Sequence, residues 1–154
     1  MSTRGTIIIN NEDGERAFAI YRQSDCYIHG GLGAELFRFM KDRILVNGYS
    51  FVGVAGKIQV NGLGDLAAQL VTELKGNSDN VGGVYIMAEG EEIHGDVEYV
   101  YYITPVGNNP CPLCGRGGDG FTWEIKIIRH VACIFTGTPE KAMYHFGRNP
   151  EKPL

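Results

Sequence analysis

The chain opens with two apolar, β-branched stretches that are separated by a turn sequence. Residues 4–10 contain Thr-Ile-Ile-Ile, and residues 16–22 alternate large apolar side chains with smaller ones. β-Branched and aromatic residues favour strands, in which side chains two positions apart share a face. Asp13-Gly14, between the two stretches, is a strong signal for a hairpin turn. The pattern therefore predicts an antiparallel hairpin at the start of the fold.

Two longer stretches carry apolar residues at the spacing of an α-helix. The first begins after a glycine-rich turn and is predicted to run to residue 46, because glycine in Asn47-Gly48 can take the left-handed cap. The second is predicted over residues 63–75, with Asp65 in the first turn, where the dipole favours an acid. Thr138-Pro139 predicts the start of a short third helix. The two apolar stripes comprise Leu32, Leu36, Phe39, Met40 and Ile44, and Leu63, Leu66, Leu70 and Leu74.

The remaining apolar stretches are short, which predicts strands. A long loop over residues 105–120 and a loose tail over residues 148–154 are also expected. We therefore predict a single α+β domain over residues 1–154, with a mostly antiparallel sheet of five to six strands and two main helices on one face. The additional extended segments are predicted at residues 51–56, 58–60, 84–87, 97–103, 121–127 and 131–135.

Composition narrows the class of protein. A length of 154 residues fits one domain, and a hydrophobic fraction of 44% is ordinary for a globular protein. The formal charge of −4 disfavours nonspecific nucleic-acid binding, which needs a basic face to displace counterions. No apolar stretch approaches the roughly 20 residues of a membrane helix, so we expect a cytoplasmic protein without membrane contact.

The glycine-rich turn between the hairpin and the first helix is the leading candidate for a small-molecule site. Free backbone N–H groups and the dipole at a helix start favour an anion, and glycines let a ligand approach the main chain. The alternative is a tight turn that only aims the helix at the sheet. The candidate ligand-binding residues here are Asp25, Tyr27, His29, Gly30, Gly31 and Gly33.

A second polar cluster lies before the strand predicted at residues 97–103. His94, Asp96 and Glu98 place an imidazole beside carboxylates, a combination that suits general acid–base work or metal binding. Asp25 and His29 would join His94 and Asp96 in a catalytic group if the end of the hairpin lies near this cluster. The alternative is a solvated connection without chemistry.

Cys111 and Cys114 form a Cys-x-x-Cys pair, which resembles half of a zinc knuckle. A structural zinc site needs four ligands, so Cys26, Cys133, His130 or His145, or a symmetric copy in a homo-oligomer, would have to complete it. A redox pair and a plain loop are the alternatives. Zinc is therefore the one candidate cofactor.

Tyr99 and Tyr101 share one face of the strand predicted at residues 97–103. Together with Trp123 they would line a groove whose aromatic surface suits a nucleobase or a protein partner. Ordinary packing in the sheet core is the alternative.

The chain carries, in this order, Ser2-Thr3-Arg4, then Ile20-Tyr21-Arg22 with Asp25-Cys26-Tyr27, and then Gly82-Gly83-Val84-Tyr85 followed by Asp96-Val97-Glu98-Tyr99-Val100-Tyr101. These three separated stretches resemble a family of small proteins that bacteriophages and related mobile elements often encode. Members typically open with Ser-Thr-Arg, continue with a Tyr-x-His-x-Asp-Gly-Tyr-Pro-like turn, and later carry an Asp-Ile-Glu-Tyr-x-Tyr-like strand. Gln23, Cys26 and Ile28 stand where the family tends to have His, Gly and Pro.

The resemblance implies a phage context rather than a mechanism. We therefore expect a non-enzymatic binding protein in the host cytoplasm, acting in counter-defence on either a host protein or a small anionic, nucleotide-like ligand. The absence of Gly-x-Ser-x-Gly, phosphate-loop and His-Glu-x-x-His patterns argues against the commonest enzyme types. The alternative is a small enzyme that acts on a phosphate-containing ligand through Asp25, His29, His94 and Asp96.

Overall fold

The computed structural model describes residues 2–46, 56–76, 83–109 and 120–147. These residues form an α+β fold, as predicted, with three helices and eight strands. The strands are β1 Gly5–Asn10, β2 Arg16–Arg22, β3 Arg43–Val46, β4 Ile58–Asn61, β5 Val84–Ile86, β6 Tyr99–Asn109, β7 Gly120–Arg129 and β8 Ala132–Gly137. The helices are α1 Leu32–Lys41, α2 Gly62–Lys75 and α3 Pro139–Gly147.

The sheet is mostly antiparallel and is centred on β1, β6 and β7. Its order along the described strands is β4-β3-β7-β6-β1-β2-β5, and β8 also pairs with β7. Only the β1–β6 and β3–β4 pairings are parallel among these strands. No helix of the described residues is both long enough and apolar enough to cross a bilayer.

The predicted hairpin is confirmed. β1 and β2 pair antiparallel, with Ile8 opposite Ala19. The Asn11 side-chain oxygen accepts hydrogen bonds from the backbone N–H groups of Asp13 and Glu15, which holds the turn in place. Gly14 has a φ of +81°, a conformation that glycine adopts without steric cost.

All three helices pack on one face of the sheet, where they form one core with the inward side chains of β1, β6 and β7. Fully buried members include Ile7 and Ile9 from β1 and Ile125 and Ile127 from β7. The opposite face carries a smaller cluster around Ile8. Helical core residues are Leu32, Leu36, Phe37, Phe39 and Met40 from α1, Leu66, Ala67 and Leu70 from α2, and Ala142 and Phe146 from α3.

The first helix is shorter than predicted. α1 ends at Lys41, and β3 begins at Arg43, so the assignment of Ile44 to the helix is wrong. β3 pairs in parallel with β4, and Trp123 Nε1 donates a hydrogen bond to the Arg43 carbonyl at 3.0 Å. The short Ile-Leu-Val run is compatible with the periodicity of both a helix and a strand. Pairing with the neighbouring strands favours the extended backbone.

The loop predicted over residues 105–120 is also shorter, because β6 continues to Asn109 and β7 begins at Gly120. Pro105 lies opposite Trp123 within this ladder. The helix end proposed at Asn47-Gly48, the strand start at residues 51–55, and the tail at residues 148–154 lie outside the described residues.

The second and third helices match their predictions. α2 spans Gly62–Lys75, with Leu66 and Leu70 fully buried. α3 begins at Pro139, and the Thr138 hydroxyl accepts a hydrogen bond from the Lys141 backbone N–H at 3.2 Å. This is the expected geometry of a threonine cap followed by proline at the first helical position.

Candidate functional site

The glycine-rich turn uses the N–H groups at the start of α1 for its own backbone. The N–H groups of Leu32, Gly33 and Ala34 donate to the carbonyls of the turn residues Asp25, Tyr27 and Ile28, at 2.8, 3.2 and 2.9 Å. These groups are therefore not available to an anion. The expectation of an anion site on the helix N-terminus is corrected by this hydrogen bonding.

Two of the glycines allow the turn to fold against itself. A Cβ atom on Gly31 would lie 2.5 Å from the Asp25 carbonyl oxygen and 2.7 Å from that of Tyr27. A Cβ on Gly33 would lie 2.7 Å from Ile28 Cα. Gly30 has open space but a φ of +67°, which favours glycine. Gly31 and Gly33 thus contact the protein's own backbone rather than a ligand.

Asp25 and Tyr27 are bound to each other at the surface of the turn. The Tyr27 hydroxyl donates to Asp25 Oδ1 at 2.7 Å, and this hydrogen bond raises the pKa of Tyr27 above its usual value. Asp25 also has a φ of +57°, a conformation that is uncommon outside glycine. The pair therefore stabilises the turn, and Tyr27 remains 39% exposed.

Cys26 lies beneath this turn, away from solvent. Its Sγ donates weakly to the Arg22 and Ser24 carbonyls, and the Tyr101 hydroxyl donates to the Cys26 carbonyl at 2.8 Å. Burial raises the pKa of Cys26 to about 12. A protonated, enclosed thiol is a poor nucleophile and a poor metal ligand.

Alkylation should distinguish the buried Cys26 thiol from the exposed Cys133 thiol. At pH 8 iodoacetamide is expected to modify Cys133, which is exposed, and to leave Cys26 unmodified. A pKa of about 12 leaves roughly a thousandfold less Cys26 thiolate than an ordinary cysteine would have. Peptide mapping by mass spectrometry measures both sites, and urea-unfolded protein is the control. Equal rates at Cys26 and Cys133 in the folded protein would contradict this assignment.

Tyr99 and Tyr101 lie in the core and do not line a groove. Their exposed fractions are 1% and 0%, and their rings stack with centroids 6.0 Å apart. Burial raises the pKa of both phenols, that of Tyr101 well above its usual value. The prediction of an aromatic ligand surface on this face is corrected: helix α1 and the glycine-rich turn cover it.

The proposed catalytic residues contact four different sets of partners. Asp25 binds Tyr27, and His29 meets Phe146 edge-on at 6.0 Å. His94 packs on Tyr21 at 5.0 Å and lies 3.4 Å from a Glu91 carboxylate oxygen. Asp96 forms an ion pair with Arg4. No hydrogen bond, ion pair or ring contact in the described part of the chain joins any two of the four.

Asp96 lies in a cleft of about 360 Å³ at the end of the sheet where β1 and β6 begin. Glu98 and His130 line the same cleft. Both carboxylates are already paired, Asp96 with Arg4 and Glu98 with Arg129, whose Nε and Nη2 lie 3.2 and 3.0 Å from the Glu98 Oε1 atom. The cleft thus contains an imidazole from His130 rather than the predicted His94.

A larger cleft of about 470 Å³ lies between α1 and α3. The turn supplies one wall, so His29 and Gly30 contribute to it as predicted site residues. Asp25, Tyr27, Gly31 and Gly33 do not line it. Its lining comprises Ile28, His29, Gly30, Ala34, Phe37, Arg38, Met143, Phe146 and Gly147.

The floor of this α1–α3 cleft is aromatic and its polar groups are basic. The Phe37 and Phe146 rings lie nearly parallel, at 17°, with centroids 5.9 Å apart. Arg38 is exposed, and its Nε donates a hydrogen bond to the Ala34 carbonyl. Of the described residues that line the cleft, none is an acid. The arrangement suits an anion that carries an apolar or aromatic group.

Sequence reasoning missed most of the lining of the α1–α3 cleft, including Phe37, Arg38, Met143 and Phe146. Phe37 is apolar but lies outside the predicted stripe of α1. This additional apolar residue was the sequence signal that a second side of the helix is buried. Met143 and Phe146 repeat at a helical spacing in α3. Only the packing of α3 against α1 shows that these positions face each other.

The zinc hypothesis stays a prediction. Cys111 and Cys114 lie outside the described residues. Within the described ranges, no group of three or more His, Cys, Asp or Glu side chains is placed to hold a metal ion.

No protein-family model, curated protein or solved structure matches this chain. The function is therefore inferred from the geometry of the chain itself.

Proposed function

We propose that this chain is a phage-type binding protein that acts in the host cytoplasm and holds a small anionic ligand in the α1–α3 cleft without changing it chemically. The ligand carries an apolar or aromatic part, as a nucleotide-like molecule does. Sequestering such a ligand would remove a host defence signal. The resemblance to phage proteins supports the context, and the α1–α3 cleft supports the ligand class.

The observation that carries the proposal is the charge of the lining. The whole chain has a formal charge of −4, yet the described lining contains Arg38, His29 and no carboxylate. Arg38 can present two N–H donors to a phosphate or carboxylate, and charge-assisted hydrogen bonds of this kind are roughly twice as strong as neutral ones. An anion is therefore favoured at this place over a cation.

The shape of the cleft supports a ligand of nucleotide size. Small-molecule sites typically measure about 300–1,000 Å³, are mostly apolar and contain a few placed polar groups. The α1–α3 cleft, at about 470 Å³, has this composition. Phe37 and Phe146 form the apolar floor of the cleft, but at 2% and 5% exposure they leave little surface of their own for a ligand to cover.

Binding is favoured over catalysis because the lining has few groups that do chemistry. His29 is the one imidazole of the described lining, and no described lining residue carries a hydroxyl, a thiol or a carboxylate. The alternative, a phosphate-directed enzyme using Asp25, His29, His94 and Asp96, has less support because these residues have separate partners.

Replacing Arg38 by alanine tests the site. We expect about a tenfold or larger rise in the Kd for the bound anion, because a hydrogen bond to a charged group contributes roughly 1.5–3 kcal/mol. Isothermal titration with the small molecule released from the denatured protein, and with nucleoside monophosphates, measures it. Lys41→Ala, on the same helix but outside the lining, is the matched control and should bind as wild type.

Two results would contradict the proposal. Equal Kd values for wild type and Arg38→Ala would place the anion elsewhere. Conversion of the ligand at catalytic protein concentration, seen by mass spectrometry of the mixture, would favour the enzyme alternative over stoichiometric binding.

A further inference from the structure

Strand β5 forms one edge of the sheet and contains only apolar residues. It pairs with β2 on one side, and no described strand pairs with it on the other. Exposed edge strands are usually protected by charged residues or proline, because their free backbone groups attract other strands. Val84, Tyr85 and Ile86 include neither.

The hydrogen-bond register shows which backbone groups of β5 face outward. Gln23 N–H donates to the Gly83 carbonyl, and Met87 N–H donates to the Ala19 carbonyl. In an antiparallel pair, the residues that bond to the partner alternate along the strand. Gly83, Tyr85 and Met87 therefore point to β2, and the N–H and C=O groups of Val84 and Ile86 point away from it.

Exposed apolar side chains lie on both faces of this edge. Ile86 is 68% exposed and Tyr85 46% exposed, on opposite faces of the strand. Phe18, on the face of β2 that Ile86 shares, is 37% exposed. An added strand would therefore find apolar contacts above and below the hydrogen-bonded edge.

The segment after β5 is acidic. Glu89, Glu91 and Glu92 are exposed and follow the strand directly. The Glu91 carboxylate receives the Ala88 N–H and lies near His94, whereas no ion pair in the described part of the chain includes Glu89 or Glu92. Glu89 and Glu92 thus carry negative charges without ion pairs close to the edge, and the Arg16 guanidinium donates to the Ala88 and Glu91 carbonyls of the same segment.

We propose that β5 receives an extended segment of a protein partner in which apolar and basic residues alternate. The segment would add a strand through the outward groups of Val84 and Ile86, a mode of binding in which backbone hydrogen bonds supply affinity and side chains supply selectivity. Its basic residues would lie near Glu89 and Glu92. This surface is separate from the α1–α3 cleft.

Charge favours such a partner over a second copy of this chain. Residues 83–92 contain three acids and no lysine or arginine. Pairing two copies through β5 would bring these acidic stretches together, and like charges at an interface oppose association. A basic partner segment would be attracted to these acids instead of being repelled by them.

The test uses a fluorescein-labelled heptapeptide of alternating lysine and valine, blocked at both ends, in an anisotropy titration. Wild type should bind it, and Ile86→Pro should weaken binding about tenfold or more. Proline removes the outward Ile86 N–H, leaves the bonds to β2 in place, and is tolerated on edge strands. Ile86→Val, which keeps the N–H group, is the matched control and should bind as wild type.

A second variant tests the acids without changing the strand. Glu89→Gln combined with Glu92→Gln should weaken peptide binding several-fold and reduce its dependence on salt, because two charges near the peptide are lost. Glu140→Gln, on α3, is the control for general charge effects. A peptide with glutamate in place of lysine should not bind.

The following outcomes would overturn the proposal. Wild type that does not bind the lysine–valine peptide, or equal binding by wild type and Ile86→Pro when both are folded by circular dichroism, would exclude β5. If Ile86→Pro does not fold, unchanged binding by the Glu89→Gln, Glu92→Gln variant has the same force. A concentration-dependent dimer in sedimentation that Ile86→Pro abolishes would make a second copy the occupant instead.

Discussion

Replacing Leu70 by alanine is expected to lower the free energy of unfolding by about 2–5 kcal/mol. Leu70 is fully buried in the middle of α2, within the core that the helices share with the sheet. Truncation removes the transfer free energy of the lost atoms and leaves a cavity that close-packed neighbours fill only in part. Urea denaturation followed by circular dichroism measures the change.

Thr72→Ala is the control on the same helix. Thr72 is exposed, and its hydroxyl donates back to the Ala68 carbonyl, so its loss should change the unfolding free energy by less than about 0.5 kcal/mol. A loss below roughly 1 kcal/mol for Leu70→Ala would show that α2 does not pack on the sheet through this stripe.

Replacing Gly31 by alanine is expected to destabilise the protein by about 1–3 kcal/mol or more. The new Cβ would lie 2.5 and 2.7 Å from the carbonyl oxygens of Asp25 and Tyr27. Those carbonyls accept the N–H groups of Leu32 and Gly33, so they cannot move away without breaking the first hydrogen bonds of the turn. Thermal and urea unfolding of the variant measure the effect.

Gly95→Ala is the matched control, because Gly95 has no atom within 4 Å of an added Cβ and no positive φ. It should be neutral or slightly stabilising, since alanine reduces the entropy of the unfolded chain. A Gly31→Ala variant as stable as Gly95→Ala would mean that the turn has a different backbone path.

The Gly31 substitution also bears on the proposed function. The same turn places Ile28, His29 and Gly30 on one wall of the α1–α3 cleft. A displaced turn should therefore weaken ligand binding even at temperatures where the variant remains folded. Loss of both stability and ligand binding would show that Gly31 supports the site by shaping the turn rather than by contacting the ligand.

The candidate site was predictable in part. A turn rich in glycine and side chains with chemistry marked a region that supplies one wall of the α1–α3 cleft, through His29 and Gly30. Tyr99 and Tyr101 were open to two interpretations because alternation along a strand shows which side chains share a face. It does not show which face a helix covers, and here α1 and the turn cover theirs.

The sequence by itself determined the local elements whose signals are strong and fit only one kind of secondary structure. Asp13-Gly14 determined the opening hairpin, Thr138-Pro139 the start of α3, and leucines at helical spacing the buried side of α2. These signals act over a few residues, through backbone conformations and hydrogen bonds that neighbouring positions make among themselves.

Tertiary structure alone decided the features that join distant residues. The Ile-Leu-Val run of β3 became extended because β4 pairs with it, and α3 became a wall of the α1–α3 cleft because it packs on α1. The N–H groups at the start of α1 were unavailable because carbonyls of the turn reach them. Each outcome depends on which surfaces meet. The hydrophobic effect is roughly proportional to the apolar area that is buried and is non-directional, so a local sequence pattern does not specify the partner surface.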